Sequence, residues 1–163
     1  MSEPGERKTI EIYLNDHFAG ATTAIELIDD MLEHGQDPQL SSFLRQLRAE
    51  LEEDFELLER IARLLGVEHQ RLKQLAADLG ESLARAKLVR GGVPPELSLL
   101  LDLETLSVGI WGRTRLWRSL AVADRMGEQL EGIELAELEA RGQRQLEQLE
   151  EHRLALARRT LTA

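Results

Sequence analysis

The chain has 163 residues and no cysteine, aromatics make up 4% of it, and the formal charge is −10. That length fits one domain, read as residues 1–163, and suffices to bury a substantial core. The acidic balance disfavours phosphate backbones and anionic lipid as partners, and the missing cysteines exclude disulfides, thiol chemistry and Cys-ligated zinc.

Leu, Ala, Glu and Arg dominate the sequence, and the four prolines (Pro4, Pro38, Pro94 and Pro95) interrupt no long apolar-periodic segment, so the composition predicts an all-α fold. The N-terminal Met1–Lys8 lacks the apolar run of a secretion signal. The most apolar stretch, Leu97 to Trp111, contains Asp102 and Glu104 and is too short to span a bilayer. The expected location is the cytoplasm, with no membrane or nucleic-acid partner.

The first helix is predicted over about 9–34, where Ile10, Leu14, Ala21, Ala24, Ile25, Ile28 and Met31 draw one apolar stripe. His34 and Gly35 supply a stop signal. The second, about 38–65, opens with Asp37 as N-cap and Pro38 at the first helical position. It continues through Leu40, Leu44, Leu47, Leu51, Phe55, Leu58, Ile61 and Leu65 to Gly66. The third, about 94–126, carries Leu97, Leu100, Leu101, Val108, Trp111 and Leu116. The fourth, about 132–161, is acidic at its start and basic at its end, an order that complements the helix dipole.

The first and second helices, and the third and fourth, are joined by short connections, which predict antiparallel hairpins. The second and third are separated by a long connection with a shorter amphipathic stretch at about 68–90 (Leu72, Leu75, Leu79 and Leu83). Two hairpins and one long central connection make a ferritin-like four-helix bundle. A five-helix array, with 68–90 as a full member, is the alternative. The segment Leu14-Asn15-Asp16-His17-Phe18-Ala19-Gly20-Ala21, together with Glu50-Leu51-Glu52-Glu53-Asp54 and Leu103-Glu104, resembles a bacterial family of ferritin-like four-helix bundle proteins with no assigned activity. The resemblance implies a fold over most of the chain and implies no reaction.

Ferritin-like di-iron and di-manganese proteins take one Glu from each of two helices and a Glu-x-x-His pair from each of the other two. The residues three before His17, His34, His69 and His152 are Leu14, Met31, Gly66 and Leu149, so that pair is missing throughout. Polar residues nevertheless interrupt the apolar stripes at His17, Asp54, Glu104 and His152, with Glu50 one turn before Asp54. These five are the candidate site. They form either a degenerate iron- or manganese-binding oxidoreductase or storage centre, or buried polar pairs, such as His17 with Asp54, that fix helix register.

Other motifs point to structure. Trp111 and Trp117 among Arg113, Arg115 and Arg118 could stack bases or line a small-ligand cavity. An amphipathic helix facing acidic neighbours explains them equally. His34 between Asp30 and Asp37 reads as a helix C-terminal histidine in preference to an ion site. No phosphate loop, nucleophile elbow or His-Glu-x-x-His sequence is present. The expected function is a non-catalytic binding or interaction module without cofactor, forming a homo-oligomer, a dimer by preference, through an apolar strip left on the third helix or on 68–90.

Overall fold

A computed structural model describes residues 4–35, 37–67, 92–123 and 130–161. Among these residues there are four long helices and no strand: α1 (Pro4–Glu33), α2 (Pro38–Leu64), α3 (Pro95–Val122) and α4 (Leu135–Thr160). No described helix is long and apolar enough to cross a membrane. The stretch at 68–90, and the expected extension of the third helix to Met126, lie outside the described residues.

The helix ends follow local chemistry. α1 starts about a turn earlier than its apolar stripe predicts, because Pro4 at the first helical position has no N–H to leave unpaired. The Asp37 carboxylate accepts from the Gln39 and Leu40 amides at 3.0 and 3.2 Å, and Pro38 presets the first turn of α2. Gly66 follows α2 with φ +69°, a left-handed conformation that a side chain would strain. Its carbonyl accepts from Arg7 Nε at 3.1 Å. Gly132, at φ +83°, lies outside α4, which begins at Leu135.

α1 packs on α2 and α3, and α3 packs on α4. The buried side chains form two apolar clusters. One joins Ala24–Met31 of α1, Leu40–Leu51 of α2, Leu100–Ile110 of α3, and Leu149 and Leu156 of α4. The other joins Leu14 and Phe18 with Leu58, Ile61, Ala62 and Val67, Leu116, Trp117 and Leu120, and Leu130. Phe18 meets Phe55 edge-on at 5.4 Å in this second cluster. On α2, α3 and α4 the residues between the clusters are polar or lack a side chain: Asp54, Arg113 with Thr114, and Gly142 with Gln145.

The third helix departs from the expected register. Its core line is Leu100, Leu103, Leu106, Ile110, Arg113, Trp117 and Leu120. The line Glu104, Val108 and Trp111, expected to face inward, faces outward, with Val108 70% and Trp111 54% exposed. α3 carries apolar residues on both faces, so periodicity alone does not choose between them. Burial of the first line alone completes both clusters.

Candidate functional site

Asp54 sits in the middle of α2, on the line Leu47, Leu51, Leu58 and Ile61, and is only 3% exposed. Two guanidiniums close on its carboxylate. Arg113 of α3 brings Nε to 3.0 Å from Oδ2, and Arg141 of α4 donates through a terminal nitrogen to Oδ1. Arg141 also donates to Glu53 Oε2 at 2.9 Å, at the solvent edge. Gln145 of α4, itself buried, accepts from Arg113 through Oε1 and donates through Nε2 to Glu50. Glu50 takes a further bond from Gln46 at 3.0 Å. Two guanidiniums, three carboxylates and an amide thus tie α2, α3 and α4 together.

The electrostatics record what burial costs. Burial pushes the Asp54 carboxyl above its ordinary value, against the opposing pull of Arg113 and Arg141. Burial also pushes the Arg113 guanidinium down to about 10, which leaves it charged at neutral pH. Both shifts arise because ions lose hydration inside the bundle, and the mutual attraction offsets that loss only in part. The Arg113 Nε hydrogen is not aimed at the oxygen beside it, and Arg141 Nε is buried without a hydrogen-bond partner. Attraction between charges holds the layer more than saturated hydrogen bonding does.

α3 and α4 approach closely beside this layer. A Cβ at Gly142 would strike Thr114 Oγ1 and stand 3.3 Å from the Thr114 Cβ. Thr114 is fully buried, and its hydroxyl is already committed to the Ile110 carbonyl at 2.8 Å. Glycine inside a helix is normally unfavourable; here it lets α3 and α4 touch.

Of the five candidate residues, only Glu50 and Asp54 belong to this layer. His17 is half-buried on α1, with its ring edge-on to Tyr13 at 4.8 Å, so Asp54 pairs with arginines in place of the expected His17. His152 is half-buried against Phe43, the rings stacked at 4.8 Å. Glu104 is exposed and pairs with Arg153 at 3.3 Å, a correction that follows from the register of α3. Among the described residues no group of three or more His, Asp or Glu side chains is placed to hold a metal ion. The donor set does not fit the di-metal centre that a ferritin-like fold implies, since the buried carboxylate already has two cationic neighbours.

The Trp111–Trp117 cavity does not form either, because Trp117 is fully buried while Trp111 faces outward. An open cleft of about 580 Å³ lies where the end of α1 meets the starts of α2 and α3, lined by Asp30, His34, Asp37, Glu96, Asp102 and Arg159 among others. There His34 Nδ1 stands 2.7 Å from the Asp30 carbonyl oxygen, a helix-end contact.

Burial lowers the His17 pKa from 6.5, with Asp16 opposing. Folding then releases a proton from His17 in acid. Its contribution to stability is complete above 6.5 and is lost as the pH falls through 6.5 towards the lowered value. Urea midpoints measured across this window should decline towards acid in the wild type and decline less in His17→Gln. Equal slopes would show that His17 does not titrate differently on folding.

Arg113, Arg141 and Gln145 are the members of this layer that sequence reasoning does not place together. Arg113 and Gln145 did carry a signal, since each stands three or four residues from buried apolar neighbours on its own helix (Ile110 and Trp117; Leu149). Compared with known proteins, the chain matches no family model, no curated protein and no solved structure.

Proposed function

We propose that this chain is a cytoplasmic, ferritin-like four-helix bundle that acts as a non-catalytic interaction module, its charged layer holding helix register instead of a metal. The observation that carries the reading is the pair of guanidiniums on Asp54. A divalent cation at that carboxylate would sit beside two fixed positive charges, whereas the arginines already satisfy it. Buried ionic groups of this kind are best attested as devices that specify which helices pair and in which register.

The grouping of buried residues supports the topology. The first half of α1 shares a cluster with the second halves of α2 and α3, and the second half of α1 with their first halves. That grouping favours two antiparallel hairpins with α2 and α3 running in the same direction. Such an order requires a long connection between them.

The test is elemental analysis of the untagged protein expressed with supplementary iron and manganese. Folded, helical protein carrying no stoichiometric metal is expected. One or two ions per chain, lost in both Asp54→Ala and Glu50→Ala, would overturn the reading in favour of a metal centre.

A further inference from the structure

The outward line on α3 continues past Trp111. Glu104, Val108, Trp111, Arg115, Arg118 and Val122 are spaced four, three, four, three and four apart, the alternation of a coiled-coil seam. All six are exposed except Arg115, which is half-buried. The seam lies on the face of α3 away from its core line; its polar members reach α4, Glu104 pairing with Arg153 and Arg118 with Glu139, each at 3.3 Å, while nothing among the described residues covers Val108 and Trp111.

Three features of this stretch lack an explanation among the described residues. Val108 and Trp111 place two large apolar side chains side by side in solvent. Arg115 stacks over the Trp111 ring at 5.3 Å, its Nε is buried without a hydrogen-bond partner, and no carboxylate pairs with it among the described residues. Gly112 occupies a helix interior although a Cβ there would meet nothing within 4 Å. Glycine in such a position is normally less favourable to a helix than alanine.

We propose that this seam is a homodimer interface in which α3 packs antiparallel on α3 of a second copy, Val108 of each chain against Trp111 of the other. In antiparallel pairing the two kinds of seam position alternate across the interface. The register that joins Val108 to Trp111 also sets Glu104 of each copy opposite Arg115 of the other. The apolar centre is then flanked on both sides by a charged group, Glu104 being shared between Arg153 of its own chain and Arg115 of the other copy. Gly112, one turn from Val108, leaves room for the incoming indole. The seam is self-complementary in charge under a two-fold axis, as an isologous interface requires. The part that pairs with itself in this register, Glu104 to Arg115, is about 17 Å long at 1.5 Å per residue. One helix pair of that length belongs to the smaller, reversible class of interface.

The proposal rests on the interaction-module reading for its purpose, but its test is separate from the metal analysis. Sedimentation equilibrium of the full chain from about 1 μM to about 1 mM should show a reversible monomer–dimer transition. Trp111→Ala should weaken it at least tenfold, to about the extent expected of a central aromatic anchor. Glu104→Arg and Arg115→Glu should each weaken it about tenfold by opposing like charges. The double variant, which restores opposite charges across the axis, should return to within about threefold of wild type. Circular dichroism of the same samples checks that these exposed changes leave the helices intact. A monomer at every concentration would overturn the proposal, and so would a dimer indifferent to Trp111→Ala or a double variant no better than the single ones. A monomer would leave the role of the charged layer to the metal analysis.

Discussion

Asp54→Ala is expected to destabilise the bundle by about 3–5 kcal/mol, the usual consequence of removing one partner of a buried ion pair. The loss comes less from the missing contact than from what remains. Arg113 is 9% exposed and would keep its charge beside Arg141 with no carboxylate between them. Asp54→Asn keeps the shape but not the charge, and should fall between wild type and the alanine variant. Replacing Asp54, Arg113 and Arg141 together by Leu or Met should recover most of the loss, because no charge is then stranded. Urea unfolding followed by circular dichroism measures all three. A loss below about 1 kcal/mol in Asp54→Ala would mean that the guanidinium reaches water, placing the layer in the class of surface pairs.

The second large effect is expected at Gly142. Alanine favours an isolated helix over glycine by about 1 kcal/mol, so Gly142→Ala would stabilise a solvent-facing site. Here the added methyl meets Thr114 Oγ1, inside a fully buried contact. Relief requires α3 and α4 to separate, and overpacking of this kind costs about 1–3 kcal/mol. Thr114→Ala removes the hydroxyl and methyl in the way. The double variant Gly142→Ala, Thr114→Ala should therefore be more stable than the sum of the single changes predicts. Four urea curves give the coupling, and strict additivity would show that the two residues do not compete for the same space.

How far the fold was legible differed from helix to helix. On α2 a single apolar stripe, an Asp37 cap and Gly66 all agree, and the stripe picks out the buried residues, Asp54 included. α3 offers two stripes of nearly equal apolar character, and the one containing Glu104, Val108 and Trp111 is the outer one. That ambiguity explains why periodicity points Glu104 inward and leaves Arg113 outside. Glu50 and Asp54 were legible because they interrupt or adjoin a clear stripe. Their partners were not, since arginine on a helix is ordinarily a surface residue, and its burial depends on which carboxylate another helix presents. His17 and His152 lie near the interior; His17 rests on Tyr13, four residues earlier on α1, a pairing that helix spacing allows for, whereas His152 rests on Phe43 of α2, which no spacing rule within one helix specifies.

The division of the core by charged residues affects how the molecule comes apart. Each apolar cluster has its own lining from α1, α2 and α3, and on α2, α3 and α4 a band of ions and an amide separates the two among the described residues. Water entering that band would solvate groups that are partly starved of hydrogen bonds, while either cluster stayed closed. Opening need not then begin at the helix ends: amide exchange at mid-length is expected to be faster than within either apolar cluster, along helices that run continuously through both.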